Sequence, residues 1–146
     1  MYNGILHAHS GLRWVVLITL IYSIVQAVQA RKSGASFTSK KSSGTLAVAS
    51  IHVQFLLGLA VVFQSPWFSL FQAEGMGNAT ARFYIIEHPS MMLIAVVLAT
   101  IGNARAKKAA TDDAAFKSRI IFFSISLLVI LAAIPWPFRF VNAGWL

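Results

Sequence analysis

Residues 83–103 read FYIIEHPSMMLIAVVLATIGN, and the fold turns on this stretch. It carries a single full charge, Glu87, and is closed by Arg105, Lys107 and Lys108. A helix rises 1.5 Å per residue, so about 20 mostly apolar residues cross the ~30 Å hydrocarbon core of a bilayer. Three more stretches meet the same test. One covers about 44–65 and is closed by Pro66, and one covers about 5–30 and stops at Arg31-Lys32. The last covers about 119–137, from Arg119 to the break Ile134-Pro135-Trp136-Pro137. The expected fold is all-α: a single four-helix transmembrane bundle over residues 1–146, without internal repeats.

Composition agrees. Of the 146 residues 58% are hydrophobic and only 11% charged, whereas a soluble domain carries about a quarter charged residues. So few charges cannot coat a small globule, but lipid needs no coat. The formal net charge of +8 raises nucleic acid as a partner. That reading needs a basic patch on a polar domain, and here the basic residues sit in short gaps between apolar runs. The expected partner is the lipid bilayer, not nucleic acid. The absence of cysteine excludes disulfides, thiolate metal sites and attachment through C-x-x-C-H. No basic n-region or cleavage site precedes the first apolar stretch, so it is expected to persist as a helix. There is no Gly-rich phosphate loop, nucleophile elbow or H-E-x-x-H. Acids are nearly absent from the spans, which argues against a proton pump built on carboxylates.

The charge sets the expected orientation. The first gap carries Arg31, Lys32, Lys40 and Lys41; the third carries Arg105, Lys107, Lys108 and Lys117, with Arg119 at the start of the last span. The middle gap and the tails offer only Arg82 and Arg139, so the balance is nine against two. Short positive loops stay in the cytoplasm. Both termini are therefore expected on the periplasmic side of a bacterial inner membrane. Trp67, Phe68, Phe71, Trp136, Phe138, Phe140 and Trp145 then fall at the outer interface, where aromatic anchors belong. Residues 34–43 read as a polar connector, and residues 74–80 as a flexible outer loop.

The functional signal lies in polar residues within spans, which are expensive in lipid and usually face the bundle interior. All four histidines, His7, His9, His52 and His88, lie inside or at the lip of a span. Counted from the outer boundary at 1.5 Å per residue, His7 and His9 sit roughly 3–6 Å deep, His88 roughly 6–8 Å and His52 roughly 20 Å. His9 and His88 share a level on different helices, and an imidazole pair across a bundle can clamp a haem iron from both faces. His7 is two residues from His9, about 200° around the helix, so the two cannot enter one pocket. Below His88, the residues Met92, Ala95, Ala99 and Gly102 continue one stripe that allows close helix approach or leaves room for a flat macrocycle. His52 has no partner at its depth and suits a quinone oxygen or a deeper stepping position. Arg13 follows His9 by one turn and could neutralise a haem propionate or a quinone oxygen. Arg82 and Arg139 are alternative propionate partners. The plainer readings are interfacial histidines, a carbonyl-bonded His52, an Arg13–Glu87 ion pair and a stripe that only packs helices. Asp112 and Asp113 read as a cap before the last span.

Residues 6–14 (LHAHSGLRW), 51–59 (IHVQFLLGL), 82–102 (RFYIIEHPSMMLIAVVLATIG) and 134–139 (IPWPFR), with the closing Gly144-Trp145, resemble a family of small four-helix membrane proteins from Bacteroidota. Its members are commonly labelled cytochrome B, and the resemblance covers nearly the whole chain. It implies haem b, an inner-membrane location and electron transfer, carried by His7, His9, His52, Glu87 and His88 with Arg13 beside them.

The resulting expectation is a b-type haem near the outer face, with His9 and His88 as axial ligands and His7 or His52 as substitutes. The activity would be one-electron transfer, linked to quinol, rather than substrate turnover. One rival is a non-haem copper or zinc site from His7, His9, Glu87 and His88 with Met91 or Met92, since thioethers favour Cu(I). The other is a structural accessory subunit within a larger respiratory or envelope complex.

Overall fold

A computed structural model describes residues 2–137 of the chain. Phe138, Arg139, Phe140, Gly144 and Trp145, assigned above to the outer interface, to propionate pairing or to the family likeness, lie outside these residues. Among the described residues there are six α-helices: α1 (Tyr2–Ser33), α2 (Lys41–Gln64), α3 (Pro66–Glu74), α4 (Ala79–Arg82), α5 (His88–Lys108) and α6 (Asp112–Ala133). A π-helical turn, Phe83–Glu87, joins α4 to α5, so residues Ala79–Lys108 form one continuous rod. Four helices are long and apolar enough to cross a membrane, and among the described residues there is no strand.

The outside of the bundle is more apolar than parts of its inside. Ile18, Leu56, Phe63 and Leu128 are each more than 60% exposed, whereas Ser23, Ser126 and Arg119 are fully buried. Water would invert that arrangement; lipid permits it. The chain is a multi-pass membrane protein.

The helices run up and down, with α1 beside α2 and α6, and α5 beside α2 and α6. α1 and α5 therefore stand on a diagonal. One end gathers the start of α1, the end of α2, the start of α5 and the end of α6, and holds His9 and His88. The other gathers the basic residues, with Arg31 paired to Asp113 and Phe37 against Phe116. Between them Leu20, Ile51, Ala95, Ala99 and Phe123 form the core. Thr19 and Ser50 share a hydrogen bond of 2.9 Å between α1 and α2, and Ser126 on α6 donates to the Ala95 carbonyl at 2.9 Å. Such bonds hold helices together where lipid offers no hydrophobic drive.

The helices overrun the apolar stretches that announce them. α6 starts at Asp112 rather than near Arg119, because Thr111 Oγ1 accepts the Ala114 N–H and two aspartates fill the positive first turn. This corrects the place of Arg119: expected at the start of the last span and counted with the basic loops, it lies within α6, fully buried. The outer connection is also more ordered than a flexible loop. Ser65 caps α3, whose first residue is Pro66, and Asn78 caps α4 while donating to Glu74.

The stripe below His88 packs helices. Ala95 and Ala99 are fully buried, and a Cβ added to Gly102 would lie 2.2 Å from Phe122 Cβ, an atom fixed to the α6 backbone. Gly102→Ala is therefore expected to destabilise the bundle by about 1–3 kcal/mol through overpacking, read as a lowered Tm in detergent. An unchanged Tm would mean that α5 and α6 are less closely apposed.

Candidate functional site

Two proline-bearing sequences build the site. Pro135 and Pro137 have no N–H, so the carbonyls of Leu131 and Ala133, four residues earlier, lose their helical donors. Side chains replace them. Trp136 Nε1 donates to the Leu131 carbonyl at 3.0 Å, and His88 Nδ1 donates to the Ala133 carbonyl at 2.8 Å. On α5, Pro89 would crowd the carbonyl of Ile85, and the chain relieves this by widening into the π turn, where the His88 N–H reaches Phe83 O. His88 is thus turned inward and tied to the end of α6. With its proton on Nδ1, the ring keeps the Nε2 lone pair for a ligand.

His9 meets His88 across the diagonal. Their ring centroids are 6.3 Å apart and their planes nearly perpendicular, at 81°. Gln54 of α2 holds His9 in place: its amide nitrogen donates to the His9 carbonyl at 2.9 Å and lies 3.4 Å from His9 Nε2. Gly58, one turn on, gives the ring its room, since a Cβ there would lie 2.9 Å from His9 Cε1. His9 Nδ1 and Gln54 Oε1 are both buried without a hydrogen-bond partner in the protein.

The two imidazoles border a cavity of about 230 Å³ reached by all four long helices. Arg13, buried one turn below His9, lines it and lies 5.5 Å from the Trp14 ring. Met92 lines it from one turn below His88, Ile130 and Ile134 from α6. Trp67 and Tyr84, stacked at 5.6 Å, stand towards its outer side.

Of the residues singled out in the sequence, His9, His88 and Arg13 come together here. His7 does not; it is exposed on the opposite face of α1. Nor does His52, which is exposed on α2 with Nδ1 2.7 Å from the Val48 carbonyl of its own helix. Gln54 lies two residues on, about 200° around the helix, and takes the inward place. Glu87 pairs with Arg82 at 2.7 Å rather than with Arg13, and Arg82 also donates to the Met76 carbonyl. That occupies the guanidinium otherwise suited to a propionate. Among the described residues no three His, Asp or Glu side chains form a metal cluster, so the set His7, His9, Glu87 and His88 is not assembled. Gln54, Gly58 and the π turn escaped the sequence reading. The signals were present in Gln54, the one amide in the middle of the second span, and in the His88-Pro89 step. Compared with protein-family models, curated proteins and solved structures, the chain matches none.

Proposed function

We propose that the chain binds one b-type haem between His9 and His88 and passes single electrons across the outer half of a bacterial inner membrane. The supporting observation is the imidazole separation. Two imidazoles facing each other through one metal ion, at about 2.0–2.1 Å per nitrogen, place their centroids about 6–6.5 Å apart, and the rings stand at 6.3 Å. The carbonyl-fixed tautomer of His88 leaves its Nε2 lone pair for such an ion, and the His9 nitrogen that carries a lone pair is Nε2, which would exchange the Gln54 amide for it. When bound, a haem supplies the one-electron couple. The protein's part is to hold both rings, exclude water with Ile130, Ile134 and Val96, and set the Arg13 charge beside the cavity for a propionate or a quinol oxygen. Orientation follows the basic end. Eight exposed or half-exposed lysines and arginines remain there after Arg119 is withdrawn, and they favour the cytoplasm.

Haem titration of the purified protein tests this. The expected result is one haem b per chain, with Gln54→Leu retaining it about 10–100-fold more weakly, the usual cost of losing a group that orients a ligand. No uptake would end the reading.

A compact Cu(I) site of His9, His88 and Met92 is the second reading. The cavity favours it, because 230 Å³ is below the ~300–1,000 Å³ of ordinary cofactor sites, so a macrocycle requires α2 and α6 to part. Metal analysis of the same preparation separates the two.

A further inference from the structure

A second cavity, of about 740 Å³, opens at the basic end, where α2 begins and α5 ends. Lys41 and Lys107 line it from different helices, together with Thr38, Ser42, Leu46 and Thr45, whose hydroxyl donates to the Lys41 carbonyl at 3.3 Å. Positive charge is in excess there. The chain has four acidic residues: Glu74, Glu87 and Asp113 are engaged elsewhere, with Asn78, Arg82 and Arg31, and Asp112 accepts the N–H of Phe37, which lines the crevice. Among the described residues neither lysine has an ion-pair partner, and the Thr38 and Ser42 hydroxyls make no hydrogen bond. Below this polar rim the wall becomes apolar, with Leu46 57% exposed on the surface turned to lipid.

Cationic and hydroxyl donors above an apolar wall match one class of ligand in a membrane. We propose that this crevice seats an anionic phospholipid, its phosphate between Lys41 and Lys107 and an acyl chain along the Leu46 face of α2. Basic pockets between membrane helices take such headgroups. The inference does not depend on any cofactor at the histidine end.

The test is native mass spectrometry of the full chain in mild detergent, titrated with phosphatidylglycerol and with phosphatidylcholine. Phosphatidylglycerol is expected to bind the natural chain more tightly. Lys41→Gln with Lys107→Gln is expected to weaken it about thirtyfold, roughly fivefold per lysine, and Lys41→Arg with Lys107→Arg to retain it. Lys32→Gln with Lys117→Gln removes equal charge from the same end, outside the crevice, and is expected to leave binding within about twofold. Equal loss in that control would reduce the effect to general electrostatics and overturn the site. So would equal affinity for phosphatidylcholine, or displacement of the lipid by inorganic phosphate at the same concentration.

Discussion

Replacing Arg119 with leucine is expected to destabilise the bundle by about 3 kcal/mol, the sum of several losses that outweigh one gain. The gain is relief from burying a cation, an effective cost of several kcal/mol. The losses are specific. The guanidinium donates to the Lys40 carbonyl at 2.8 Å, to Ser43 Oγ at 3.2 Å and to the Lys41 carbonyl at 3.4 Å, and it lies 4.6 Å from the Phe37 ring. An acceptor left buried and unmet costs about 1–3 kcal/mol, and a cation–π contact is worth about 0.5–2 kcal/mol. A leucine also leaves part of the volume empty, because Gly44 is open there for the guanidinium: a Cβ would lie 2.5 Å from Arg119 Nη2. These contacts tie α6 to the link between α1 and α2, so their loss should loosen that whole end. Arg119→Lys keeps the charge but lacks the planar fork, and should recover less than half of the stability. Unfolding of both variants in mixed micelles is the measurement; a leucine variant as stable as the natural chain would show the arginine to be dispensable.

On the proposed haem reading, His88→Ala is expected to lower haem retention by well over about tenfold. The scale follows from the ligand's place in the site, since removing only an orienting partner already costs about 10–100-fold. The substitution removes the inward nitrogen and the donor to the Ala133 carbonyl together. His9→Ala should act similarly. His7→Ala and His52→Ala should leave the pigment unchanged, because both rings point away from the cavity. Absorbance of reduced against oxidised protein, normalised to chain concentration, reads all four. Loss in His52→Ala with retention in His88→Ala would reverse the assignment.

How far the sequence carries this architecture depends on which physical signal is local. Four spans are legible because hydropathy is summed over long windows, and the His7–His9 choice because two residues turn a helix by about 200°. The shared level of His9 and His88 is a matter of rise per residue, and they do meet. His52 is different: its depth can be counted, but whether it faces the core or lipid depends on a neighbour, Gln54, whose donors suit the His9 carbonyl. Arg119 reads as an exposed cation at a helix start because its partners, the Lys40 and Lys41 carbonyls, are distant in sequence and carry no side-chain signature. The π turn is foreshadowed by Pro89, yet a proline at that position reads equally as an ordinary helix start.

The central claim is that His9 and His88 close on a single iron across the bundle diagonal. Electron paramagnetic resonance of the oxidised, haem-loaded protein tests it most directly. The expected spectrum is a low-spin ferric signal from two imidazole ligands, lost in both His9→Ala and His88→Ala. A protein that takes up no haem, or a high-spin signal indifferent to either substitution, would contradict it.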